Sequence, residues 1–366
     1  MPQEISSTAK VKVRKGMPSV AVTKAKFTRR ARERFFDPAF DSLQPEIEKI
    51  IAAAWNGYHE YRKAPRTKPA GPRFADPDYD LSTDWLKARA AIASAELRQK
   101  SAASKSRILL INGSSRSDQS CPGEMPKTFR LVEIARRLIE RERGFEVEAL
   151  DLSLLTSQYA LQIHPCKACV STAQPLCHWP CTCYLNPALG QVNDWMNGIY
   201  PMWSAAHGVM IVTPANWYQA PTGLKAMIDR LVCTNGGNAD PTTTHGKNAK
   251  KAKEIELAGW DYPNHLAGRA FSVVVHGDTE GSETLRRILV DRLHDLGLIS
   301  AGHLAELDRY VGYYELYATS HDALDDDKAF LEEVRNAARS LVEAVKRMRH
   351  GKLVQPDARL RQPRSK

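Results

Sequence analysis

From residue 107 onward, short apolar runs alternate with stretches of helical period, and that alternation restricts the chain to few architectures. Arg107 to Ile111 reads as a strand and Asn112 to Ser117 as a polar turn. Leu131, Ile134, Ala135, Leu138 and Ile139 then share one helix face within Lys127 to Arg141, and Phe145 to Leu150 reads as a second strand. A strand, helix and strand of this length form a βαβ unit, whose crossover makes the two strands parallel. The pattern continues with a helix at Leu189 to Ser204, a strand at His207 to Thr213 and a helix at Thr222 to Val232. A strand at Arg269 to His276, a helix at Ser282 to Leu296, a short strand near Ala301 to Leu307 and a helix at Asp325 to Met348 complete it. Five strands between five helices predict an α/β fold with a doubly wound, five-stranded parallel sheet. Its ligands are expected beyond the carboxyl ends of the strands.

The segment before the sheet has a different character. Residues 1–34 are rich in Lys, Arg, Ser and Thr without a sustained apolar period, which predicts a disordered basic tail. Residues 35–106 predict a helical arm and linker, with helices at Pro45 to Tyr61 and Asp84 to Gln99 and prolines between them. The domain proper is expected over 107–350, followed by a basic tail at 351–366.

Charge and hydropathy narrow the function classes. The net charge of +10 comes from the ends, since residues 1–35 and 346–366 carry +8 and +7 and leave the body at −5. A mildly acidic body argues against nucleic acid as a partner. No apolar run approaches the ~20 residues of a membrane helix, and the N-terminal stretch lacks the apolar core of a secretory signal. A cytoplasmic protein is expected, with a basic transit segment as the alternative.

Two turns carry the chemistry. After the first strand, Asn112-Gly113-Ser114-Ser115-Arg116-Ser117 leads, past an insertion at 118–126, to Lys127-Thr128 at a helix start. Hydroxyls, an arginine and free helix N–H groups suit a phosphate. The spacing of a Rossmann or nucleotide-triphosphate loop is missing. After the third strand, Thr213-Pro214-Ala215-Asn216-Trp217-Tyr218 offers a stiff backbone and aromatic rings, which suit a flat, polar-edged ring system.

Together, "INGSSR" and "TPANWYQAPTGLKAMIDR" resemble the NADPH-dependent FMN reductase and quinone reductase family, which is flavodoxin-like, over about residues 107–300. The resemblance implies FMN as cofactor, with Ser114, Arg116, Ser117 and Thr128 at its phosphate. Pro214, Ala215, Asn216 and Trp217 would lie along the isoalloxazine, and His276, Gly277 and Asp278 at its polar edge. Asn216 stands where the family usually has an aromatic residue. The implied activity is transfer of hydride from NAD(P)H through FMN to a quinone, a nitro or azo aromatic, or free flavin, with ping-pong kinetics. The alternative is an electron-transfer module. The resemblance also implies a homo-oligomer packed around the helix containing Gly223 to Arg230, with Arg230 available for a cross-subunit ion pair.

Five of the seven cysteines, Cys166, Cys169, Cys177, Cys181 and Cys183, fall within eighteen residues. Cys166-x-x-Cys169, with "VNDWMNGIY" downstream, resembles the start of the cysteine motif of iron–sulfur flavoproteins. The motif's third cysteine is replaced by Thr172, for which Cys177, Cys181 or Cys183 would substitute. Two readings stay open: an iron–sulfur cluster or zinc held by these thiolates, or a loop of reduced, partly buried thiols.

Overall fold

The computed structural model describes residues 22–59, 67–118, 120, 125–158, 161–184 and 194–353. These fall into two compact units. One holds the described residues up to Lys68 together with Tyr184, and the other those from Pro69 to Cys183 and from Asp194 on.

In the first unit, α1 (Lys24–Arg32) and α2 (Gln44–His59) pair through aromatic side chains. Phe27 is buried with its ring centroid 5.4 Å from Trp55 and 5.2 Å from Tyr58. Thr23 caps α1 by accepting from the Lys26 N–H. Helix α1 corrects the expectation of disorder over 1–34, of which 1–21 lie outside the described residues. One aromatic anchor and a cap suffice where the apolar period is too short to read.

The second unit carries the sheet. Its strands are β1 (Ser106–Asn112), β2 (Phe145–Asp151), β3 (Gly208–Pro214), β4 (Ala270–Gly277), β5 (Ile299–Ser300) and β6 (Glu306–Tyr310). All pairings are parallel in the order β2-β1-β3-β4, with β5 and β6 both beside β4. The sheet therefore has five positions, the last one interrupted. Gly302, at φ +106°, opens a turn through His303–Ala305 that splits the single strand expected at 301–307.

All of β4, and β3 up to Thr213, are buried, as parallel strands covered on both faces must be. Side chains alternate between two cores. Leu109, Ile111, Val209, Ile211, Val273 and Val275 face one side, and Ile108, Leu110, Met210, Val212 and Val274 the other. Helices α3 (Thr83–Lys100), α6 (Met196–Ala205), α7 (Thr222–Arg230) and α9 (Ser282–Asp295) contribute to the first core. Helices α4 (Lys127–Glu140) and α11 (Lys328–Arg349) supply the second. A single turn, α5 (Leu154–Ser157), follows β2. The start expected for α6, at Leu189, falls outside the described residues.

The second helix of the expected arm belongs to this unit. α3 packs on α6, and its Trp85 indole donates to the Pro180 carbonyl at 2.8 Å. The linker after α3 is clamped by Arg349, whose guanidinium donates to the carbonyls of Ser101, Ala102 and Ser104. The insertion at 234–266 contains a helix that its polar sequence hides, α8 (Ala249–Leu257), capped by Asn248. α10 (Ser320–Asp326) precedes α11. Among the described residues no helix is long and apolar enough to cross a membrane.

Candidate functional site

The carboxyl ends of β1, β3 and β4 converge on one cavity of about 180 Å³. The loop after β1 is shaped by Asn112. Its side-chain amide donates to Asp151 at 2.8 Å and to the Arg116 carbonyl at 3.2 Å, while its side-chain oxygen accepts from the Ser114 N–H at 3.1 Å. The Arg116 N–H donates to Ser114 Oγ, which turns the loop back on itself. Pro126 then precedes α4 and makes no side-chain cap, so the first N–H groups of that helix are left for a ligand or water.

The loops after β3 and β4 are bonded together. Ala215 N–H donates to the His276 carbonyl at 2.8 Å, and Asn216 and Gln219 exchange backbone hydrogen bonds around a tight turn. At the tip of that turn, Trp217 and Tyr218 hold positive φ angles of 49° and 67°. Gly281 makes room for it, because a Cβ there would lie 2.7 Å from the Tyr218 backbone.

Of the residues expected at the site, Ser114, Arg116, Thr128, Pro214, Ala215, Asn216, His276, Gly277 and Asp278 all line the cavity. Two do not. Ser117 is buried behind the loop with its N–H donating to Ser120 Oγ, and Trp217 stands 84% exposed outside the lining. The cavity also takes in Ser115, Met125, Pro126, Lys127 and Ser320. Lys127 was legible as the first residue of the helix beside the loop. Ser320 comes from α10, far along the chain, with no motif to mark it.

The electrostatics are uneven. His276 is buried, and that burial, with Lys127 nearby, lowers its pKa to about 3, so the ring is neutral. Its Nε2 lies 2.8 Å from the Thr128 hydroxyl, and its Nδ1 has no partner among the described residues. Burial also lowers the pKa of Lys127, against the opposing pull of Asp278.

Arg230 does not face a partner subunit, which corrects that expectation. It is 1% exposed and forked onto Asp194 at 2.6 and 3.2 Å, with a third bond to the His164 carbonyl. The residue closes the end of α7 inside the protomer.

Four cysteines of the loop do come together. The thiols of Cys177, Cys181 and Cys183 lie around that of Cys169, which donates to the Leu176 carbonyl at 3.7 Å, with the Lys247 ammonium 3.8 Å from Cys169 Sγ. Among the described residues, Cys166 accepts from the Ala168 N–H. Among the described residues no set of three or more His, Cys, Asp or Glu is arranged to hold a metal. The expectation of a zinc or iron–sulfur centre on these cysteines is therefore not met. The Lys247 ammonium lies beside Cys169 and donates to the Leu176 carbonyl at 2.7 Å, and its positive charge opposes a second cation nearby. The neighbouring Cys177 thiol, with burial, raises the Cys169 pKa to about 11. Thiolate is therefore scarce at pH 8, and iodoacetamide should label Cys169 about a hundredfold more slowly than an ordinary thiol. Peptide mapping after timed labelling checks this, and rapid modification of Cys169 would contradict the thiol cluster.

The sequence profile of the NADPH-dependent FMN reductase family matches residues 106–290, just over half of the chain. No curated protein matches closely enough to count as a relative. Among solved structures, RosB with its bound intermediate 8-demethyl-8-formylriboflavin-5'-phosphate is similar at 13% identity and a TM-score of 0.48, covering 68% of this chain and 82% of its own. The apo form of the NADH:FMN oxidoreductase EMOB is similar at 14% identity and 0.36, covering 70% and 94%. An azoreductase from Bacillus anthracis str. Sterne is similar at 12% identity and 0.36, covering 64% and 98%. With a family match over more than half its length, and with both of the loops that carried the resemblance meeting at one cavity, the chain belongs to the NADPH-dependent FMN reductase family.

Proposed function

We propose that the protein binds FMN at the carboxyl edge of its sheet and acts as an NAD(P)H oxidoreductase toward a small-molecule acceptor. The observation that carries this reading is the cavity itself, whose lining brings together an arginine, a helix N-terminus and a neutral, buried and half-satisfied histidine. Bound FMN would take hydride from NAD(P)H and pass it to a quinone, a nitro or azo aromatic, or free flavin.

The protein's part is to hold and orient. Ser114, Arg116 and the opening turn of α4 supply donors for the phosphate. The stretch Pro214 to Asn216, tied to β4 by the Ala215 N–H, fixes the wall against which a flat ring would rest. His276 remains uncharged at working pH and offers Nδ1 as a neutral hydrogen-bonding atom, its partner at Nε2 being Thr128. Exposed Trp217 and Tyr218 at the rim favour a second copy of the chain closing over the cavity, as a homo-oligomer would.

The purified protein should be yellow, or take up FMN in preference to FAD. Replacing Arg116 with alanine should weaken FMN binding by about 1.5–3 kcal/mol, the value of a charge-assisted bond. Fluorescence titration reads this, and an unchanged affinity would remove Arg116 from the site.

A further inference from the structure

Lys127 is placed at a cost that its surroundings, the pull of Asp278 and the ring of Tyr313, offset only in part. It is the first residue of α4, where the helix dipole disfavours a cation. It is half buried, and among the described residues its ammonium forms no ion pair or hydrogen bond; the nearest recorded group is the Tyr313 ring, 5.7 Å away. Asp278 lines the same cavity but is not paired with it.

A second feature of the cavity also calls for a ligand. His276 is 3% exposed and leaves Nδ1 without a partner. Being neutral, it can complete a hydrogen bond but supplies no charge. A phosphate monoester carries close to two negative charges near neutral pH, which one guanidinium only half balances. The balance must come from a second cation, and Lys127 is the other cation that lines the cavity.

Resting on the FMN reading above, we infer that Lys127 is the residue that makes this cavity select a phosphorylated flavin over riboflavin, its ammonium completing with Arg116 the countercharge for the phosphate. Binding then gives the ammonium an anionic partner at a place where the helix dipole and partial burial both disfavour a lone cation. The Tyr313 ring, 5.7 Å from the ammonium, adds a weak cation–π attraction.

The test is a titration of full-length protein, stripped of flavin, with FMN and with riboflavin, followed by flavin fluorescence. Wild-type protein should prefer FMN. Lys127→Gln should cut FMN affinity about tenfold or more, leaving riboflavin affinity within about twofold, and Lys127→Arg should restore most of the preference. Inorganic phosphate should compete with FMN on wild-type protein and much less on Lys127→Gln. The inference is overturned if FMN affinity is unchanged in Lys127→Gln, or if both flavins weaken equally. It is also overturned if the FMN preference persists while the flavin's reduction potential shifts, because the lysine would then be reading the ring. Wild-type protein that binds neither flavin would bring down the FMN reading as well, whereas tight FMN binding that ignores Lys127 would bring down this inference alone.

Discussion

Replacing Asp194 with alanine should lower the free energy of unfolding by about 3–5 kcal/mol, the cost of leaving a buried charge without its partner. The carboxylate and Arg230 are 4% and 1% exposed, and Arg230 also donates to the His164 carbonyl. The Tyr200 hydroxyl and Cys233 thiol both donate to the Arg230 carbonyl, so a shift of the arginine disturbs the end of α7 and the turn after it. Asp194→Asn, which keeps one of the two acceptor oxygens but not the charge, should lose less. The double replacement Asp194→Leu with Arg230→Met should recover much of the loss, because neither charge is then buried alone. Urea melts followed by tryptophan fluorescence measure all three. Equal losses in the single alanine variant and the double variant would show that packing, rather than the unpaired charge, sets the cost.

That ion pair marks where the sequence ceases to be readable. Its two residues are thirty-six positions apart, and nothing local distinguishes an inward Arg230 from one aimed at a neighbouring subunit. The sheet was legible because β3 and β4 must be apolar along nearly their whole length to survive burial on both faces, and the gaps between them are of crossover length. The turns at Gly113 and Pro214 were legible for a similar reason, since few residue types permit those shapes beside a ligand. Helices α1 and α8 were missed because each rests on one or two buried residues, Phe27 and Ala252, beneath a charged exterior. At the site, Lys127 was visible as sequence but not as a cavity wall. Trp217 was read as facing the ligand, yet the positive φ at the tip of its turn swings it outward. The thiol cluster was seen as a group. The ammonium beside it, supplied by Lys247 from a distant insertion, was not.

Gly113→Ala should push apart the two loops that form the site. A Cβ at this position would lie 2.8 Å from both Cβ and Oγ1 of Thr213 and 2.9 Å from a methyl of Leu224, and both neighbours are fully buried. Neither can retreat, because Thr213 is held in β3 beside β4 and Leu224 packs in the core beneath α7. The loop after β1 must therefore move away from the loop after β3. Those two loops hold the opposite ends of the proposed ligand, so a shift of about 1 Å between them should reduce turnover by about a hundredfold. Stability should fall by about 1–3 kcal/mol, the usual cost of overpacking. Gly208→Ala separates the two effects. Its Cβ would lie 2.8 Å from a methyl of Val345 at the amino end of the same strand, so it also crowds the core, but away from the loops. That variant should lose comparable stability and retain wild-type FMN affinity. If the two variants bind FMN equally well, the close approach of Gly113 to Thr213 serves packing alone, and the site does not depend on the spacing of its loops.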